Sequence, residues 1–195
     1  MPLALRRRPA TMSLNFDPSY ALEFDFGRGQ IRMANAGERV IVPCDALLAL
    51  CQGASEDAVR DFGRRLGTEA GRVMNDRLGE AWQASLETVL EHLGGELALM
   101  GLGSLGLERW GQALVLSFSH SPLGWAGDLL LGSVLEGAMQ RSFGRDTVAI
   151  KLMRNEQNVR FLLAGRAGAD KAGRWLAEGV PWGDVLSRLA TRGAS

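Results

Sequence analysis

Few side chains in this chain could do chemistry, and their spacing argues against most reactions. Ser117, Ser119 and Ser121 flank His120. A serine beside a histidine base is the pairing of acyl transfer, but the Gly-x-Ser-x-Gly turn that would lift a serine out of a sheet is absent. Alternating Ser-Phe-Ser-His reads instead as a strand with one exposed face. Glu87 and Glu91, four residues apart, share one helix face. Paired acid–base work needs an opposing partner, and none is identifiable, so a solvated face is the simpler reading; Asp25 with Asp17 offers no more.

The chain has 2 cysteines, Cys44 and Cys51, and 2 histidines, His92 and His120. Seven helical residues would hold the thiols about 10 Å apart, beyond disulfide reach, which suits reduced thiols in a cytoplasmic protein. Two thiols alone do not make a zinc site. Gly27-Arg-Gly29 is too short for a dinucleotide fingerprint and reads as a turn, and no Gly-x-x-x-x-Gly-Lys-Ser/Thr loop exists. The expectation is no catalytic residue, no metal and no cofactor: not an enzyme, with an enzyme of unrecognised chemistry as the remote alternative.

Charge narrows the partners. Lys plus Arg is 22 and Asp plus Glu is 22. Zero net charge argues against nucleic acid, whose phosphates demand a basic surface, and offers little repulsion against self-association. No apolar run reaches the ~20 residues of a membrane span. Arg6, Arg7 and Arg8 are not followed by an apolar signal core, so residues 1–18 read as a flexible tail.

The most informative pattern is a stripe. Gly63, Gly67 and Gly71 recur every four residues inside a segment of helical periodicity. Each costs a helix interior roughly 1 kcal/mol relative to alanine, so the stripe implies close approach of another backbone, expected here to be a second copy of the chain. Of the five tryptophans, Trp125 lies in a Pro/Gly-rich loop and Trp182 follows a proline in the C-terminal region. With Trp175 they complete the expected interface, because tryptophan is enriched where an apolar body meets another surface.

The elements that must position these residues follow from periodicity and breakers. Strands are expected at 22–26, 30–33 and 39–42, then a short helix at 45–50 opened by Pro43. A long helix follows from Ser55 to about Leu78, and a second from Trp82 or Ser85 to Leu93, ended by Gly94-Gly95. Strand character returns at 96–102, 105–110 and 112–119. A helix spans 128–143, a hairpin joins 148–152 to 159–163, and two short amphipathic helices occupy 170–178 and 182–189. The fold class is α/β of the α+β kind. The divisions are a tail at 1–18, a β segment with short helix at 19–54, a central domain at 55–165 and a helical extension at 166–195.

The central order of helix, helix, hairpin, helix, hairpin resembles the 4-vinyl reductase domain, a small-molecule-binding fold shared with TRAPP tethering subunits and related to haem nitric-oxide-binding domains. Gly63-Arg-Arg-Leu-Gly67 resembles the glycine pair of that family's first long helix, and Met100-Gly-Leu-Gly103 its entry to the first hairpin. The helix from Asp128 through Gly132 and Gly137 to Phe143-Gly144 is similar to its glycine-spaced helix. The pair Thr147–Lys151 and Val159–Phe161 is similar to its closing hairpin. Many members bind zinc through cysteines of that hairpin, but 147–165 holds no cysteine. The haem relatives use a Tyr-x-Ser-x-Arg motif, whereas the single tyrosine, Tyr20, precedes Ala-Leu-Glu. The resemblance implies a homodimeric interaction module, partnered by itself and by another protein. The alternative is a sensor for a small apolar or aromatic ligand or lipid, its pocket lined by Phe62, Leu66, Val73, Leu90, Phe118 and Met139. No fused DNA-binding or ATPase segment is legible, so a signal is expected to leave through protein contacts.

Overall fold

The computed structural model describes residues 22–33, 37–78, 85–110 and 113–192. The tail at 1–18, Tyr20, Gly79 and Trp82 lie outside the described residues. Among the described residues the chain forms six α-helices and two antiparallel sheets, an α+β architecture. A small sheet of order β1-β2-β3 comes first, from β1 (Leu22–Asp25), β2 (Gln30–Met33) and β3 (Gly37–Arg39). Three helices follow, α1 (Cys44–Gly53), α2 (Glu56–Leu78) and α3 (Leu86–Leu99). The main sheet has the order β4-β5-β7-β6. It is built from β4 (Ser104–Trp110), β5 (Ala113–Ser119), β6 (Val148–Arg154) and β7 (Asn158–Ala164). Between its hairpins runs α4 (Asp128–Phe143), and after it come α5 (Arg166–Ala177) and α6 (Trp182–Arg192).

The main sheet is covered on both faces, and strand alternation decides which residue goes where. Leu116 and Phe118 of β5, with Val159 and Phe161 of β7, join the core made with α2, α3 and α4. Val115 and Leu162, one position out of step, join Ala172, Val185 and Leu186 of α5 and α6 on the other face. β5 is therefore an interior strand. Ser117 and Phe118 are buried, which corrects the reading of this segment as a half-exposed strand.

Two further expectations are corrected. Residues 96–99 belong to α3, which runs through Gly94-Gly95 and stops at Leu99. The glycines do not break it because β4 packs there: a Cβ on Gly94 would touch the Leu105 side chain at 3.4 Å. Glu96 is thereby fully buried, at 2.8 Å from Arg77 of α2. The third strand is Gly37–Arg39, not Arg39–Val42. Its ladder ends because its partner ends: Arg39 pairs with Ile31, and the turn lies just beyond Gln30.

The glycine stripe is used inside the chain. Gly63, Gly67 and Gly71 are buried against α4. A Cβ on Gly63 would lie 2.7 Å from the Ser133 Cβ, and one on Gly67 would lie 2.7 Å from the Ala138 amide nitrogen while overlapping the Val134 carbonyl. Gly137 of α4 meets the Arg64 backbone in the reciprocal sense. The close backbone that the stripe demands is α4 of the same molecule, which removes the sequence argument for these three residues as a subunit contact.

Trp175 and Trp182 likewise pack within the chain. Both border the cluster of Val115, Leu162 and Leu186. Trp182 meets Trp110 edge-on with ring centroids 5.1 Å apart, and Arg160 lies over its ring. The tail helices are too short to stand alone in water, and here they dock on their own sheet. Trp125, 64% exposed, is the one residue of the expected interface that faces outward, with Arg154 5.8 Å from its ring centroid.

Candidate functional site

Helix α2 presents two working faces. One is the glycine edge set into α4. The neighbouring face carries Phe62, Leu66 and Glu69, spaced at i, i+4 and i+7. It forms one wall of a cavity of about 580 Å³. The opposite wall is the small sheet with the segment that leaves it, including Leu22, Ile31, Met33 and Val40–Val42. Cys44 and Leu47 of α1, Leu99 to Leu102 at the end of α3, and Pro122-Leu123 complete the enclosure. Among the described residues the lining is predominantly aliphatic, with Arg39 and Glu69 as its charged members.

The six residues expected to line a pocket fall in three places. Phe62 and Leu66 stand on the cavity wall. Leu90, Phe118 and Met139 are buried in the core between the helices and the sheet. Val73 sits one layer behind the wall, under Met33 and Leu99. Period alone marks all six as inward-facing; which of two inward faces each takes depends on where α4 and the small sheet lie. Sequence reasoning missed Arg39, Glu69, Cys44 and the run Val40-Ile41-Val42. The last did carry a signal: three consecutive β-branched residues directly before a proline cannot all be turned inward from a strand. Val40 and Ile41 are 84% and 68% exposed, at the mouth of the cavity.

The charged corner is a ladder along α2. Glu69 accepts from Arg39 Nη2 at 3.0 Å and from Arg72 Nε and Nη2 at 2.9 and 2.8 Å. Arg72 in turn donates to Asp76 at 2.7 Å. The Arg72 bonds hold the Glu69 carboxyl down to about 2; burial opposes them and Arg39 adds to them. Nearby Glu96 moves the other way, raised by burial and only partly restrained by Arg77 and Arg39. The signs are therefore opposite. Glu69, depressed from an ordinary 4.5 to about 2, adds stability above its unfolded-state value and loses it as pH falls toward 2. Glu96 costs stability at neutral pH and is relieved in acid. A Glu69→Gln variant is expected to lose less thermal stability than the parent between pH 4.5 and 2.5. The difference should be on the order of a few degrees, read by circular dichroism melts at each pH.

The residues that suggested chemistry are not assembled for it. Cys44 and Cys51 are both free, and Cys44 donates to the Pro122 carbonyl at 3.4 Å. Glu87 pairs with Arg109 of β4, and His92 is buried on α3. Among the described residues no three His, Cys, Asp or Glu side chains are grouped to hold a metal ion, and no helix is long and apolar enough to cross a membrane.

No protein-family model matches the chain, and no curated protein matches it in sequence. A solved structure does match in fold. The crystal structure of the phenol-responsive sensory domain of the transcription activator PoxR with phenol is similar at a TM-score of 0.58. The match covers 87% of this chain and 92% of that one at 13% identity. At that identity the likeness establishes a shared fold.

Proposed function

We propose that this chain is a non-catalytic sensory domain that takes a small aromatic or otherwise apolar molecule into the cavity between the small sheet and helices α1–α3. The observation that carries the reading is the cavity itself. About 580 Å³ of aliphatic-walled space is the size of a small-molecule site, and its two walls come from separate parts of the fold, so an occupant would couple them. The shared fold with a phenol-responsive domain supports this reading over the interaction module that the sequence favoured. Membership of the 4-vinyl reductase group belongs to the same proposal, supported by the order α2, α3, hairpin, α4, hairpin.

Ligand present at a hundred times its dissociation constant stabilises the folded state by about 2.7 kcal/mol, or roughly 5–10 °C at this chain length. A panel of benzene, phenol and naphthalene derivatives and a medium-chain fatty alcohol is expected to include compounds that raise the melting temperature by that amount. Leu66→Trp, which fills the cavity from its α2 wall, is expected to abolish the shift. A flat response across the panel, or an equal response in the variant, counts against the site.

A second reading rests on a different observation. Phe24 of β1 and Phe26 in the turn that follows it stack with ring centroids 5.9 Å apart, and Phe26 is 89% exposed. Exposed aromatic pairs mark contact surfaces, so homodimerisation or docking of a partner protein would use this sheet and Trp125 rather than the glycine stripe. Sedimentation of the parent and of Phe26→Ser decides: this reading expects a micromolar dimer that the variant weakens.

A further inference from the structure

The cavity has one polar corner, and it is built across the two bodies that enclose the space. Arg39 ends β3 of the small sheet; Glu69 stands on α2, three residues beyond Leu66. Arg39 gives one Nη2 bond to Glu69 Oε1 and one Nη1 bond, at 3.1 Å, to the Glu38 carbonyl. Other N–H donors of its guanidinium fork remain. Among the described residues, Glu69 Oε1 accepts from both Arg39 and Arg72, while Oε2 accepts from Arg72 alone. A carboxylate can accept roughly four hydrogen bonds, so acceptor capacity is left on Oε2. Both residues line the cavity, so the corner offers one acceptor and one donor, with the charges of Glu69, Arg39, Arg72 and Asp76 already mutually compensated.

We infer, building on the ligand-binding reading above, that Arg39 and Glu69 are the specificity clamp of this cavity, and that it selects a neutral apolar molecule larger than a single benzene ring and bearing one hydroxyl group. A hydroxyl both donates and accepts, so it satisfies Glu69 Oε2 and an Arg39 N–H at once. A carboxylate has no donor to give and brings a second anion beside Glu69. An ammonium group meets Glu69 but also two arginines. A hydrocarbon displaces water from the corner and returns no hydrogen bond, which costs free energy. The size follows from the volume: about 580 Å³ lies in the range that encloses drug-sized molecules, and a single ring would leave most of the aliphatic wall uncovered.

Four probes separate these points: naphthalene, 1-naphthol, 1-naphthoate and phenol, titrated calorimetrically into the full chain. The parent is expected to bind 1-naphthol about 10-fold more tightly than naphthalene or phenol, and 1-naphthoate more weakly than naphthalene. Glu69→Met removes the acceptor and leaves Arg39 without its carboxylate partner, while Arg72 keeps Asp76. It is expected to reverse the order, with 1-naphthoate above 1-naphthol and naphthalene within about 2-fold of the parent as the control for an intact cavity. If that variant does not fold, Arg39→Met serves: the preference for 1-naphthol over naphthalene disappears and 1-naphthoate binds more weakly still. Binding of naphthalene and 1-naphthol with equal affinity, or of 1-naphthoate as tightly as 1-naphthol, overturns the clamp and leaves the cavity reading standing. Failure of all four probes to bind overturns both.

Discussion

Gly67→Ala is expected to destabilise the protein by about 3 kcal/mol or more, and Gly67→Leu to prevent folding. The added methyl of alanine has nowhere to go. It would overlap the Val134 carbonyl oxygen and lie 2.7 Å from the Ala138 amide nitrogen. Both are backbone atoms in the middle of α4, so no rotamer change relieves the clash, and the two helices must separate along their crossing. Overpacking a core costs about 1–3 kcal/mol when side chains can adjust. Here they cannot, and separation would also loosen Leu131, Val134 and Leu135, which are fully buried in the same core. Gly173→Ala is the internal control. It lies within α5, and nothing stands within 4 Å of where its Cβ would be. That change is expected to be neutral or to stabilise by about 0.4–1 kcal/mol, through the loss of unfolded-chain entropy and improved helix propensity. Urea denaturation of both variants gives the comparison. A Gly67→Ala protein as stable as the parent would mean that α2 and α4 do not cross at this residue.

Ending the chain after Gly165 is expected to abolish cooperative folding. Helices α5 and α6 pack on one face of the main sheet, where Val115 and Leu162 are almost completely buried. Removing the helices returns those side chains and Leu152 to water at about 1.5–3 kcal/mol each. It also removes the burial of Val185 and Leu186, and the sum rivals the 5–15 kcal/mol total typical of a folded domain. The shortened protein is expected to aggregate or to melt without a sharp transition, because it would expose a contiguous apolar sheet face. A shortened chain with an unchanged melting temperature would contradict the packing of these helices on the sheet. Leu186→Ala gives the graded version, with an expected cost of about 2–5 kcal/mol.

How much of this was legible in the sequence depended on whether the deciding partner was local. The hairpin of β6 and β7 and the left-handed Gly144 that ends α4 are set by neighbouring residues, and reading along the chain finds them; the start of α3 narrows by sequence to Trp82 or Ser85, and Ser85 is the cap. The glycine stripe announces close packing just as clearly, but cannot say against which backbone, and α4 lies about 65 residues further along. Gly94-Gly95 looks like a helix end by propensity and is overridden by the packing of α3 against β4. The cavity was the least visible feature. Phe62 and Leu66 show an apolar face, yet nothing local says that this face meets an aliphatic sheet across a gap while the adjacent face is closed by α4. Arg39 and Glu69 read as two ordinary surface charges until the fold sets them 3.0 Å apart.

The central claim is that the space between the small sheet and α2 is a ligand site. A native mass spectrum of the full chain purified from cells, recorded beside Leu66→Trp, tests it most directly. The parent is expected to retain a small apolar molecule that is released on denaturation and is missing from the cavity-filling variant. A parent that carries no such molecule, and whose melting temperature no aromatic or aliphatic compound raises, would contradict it.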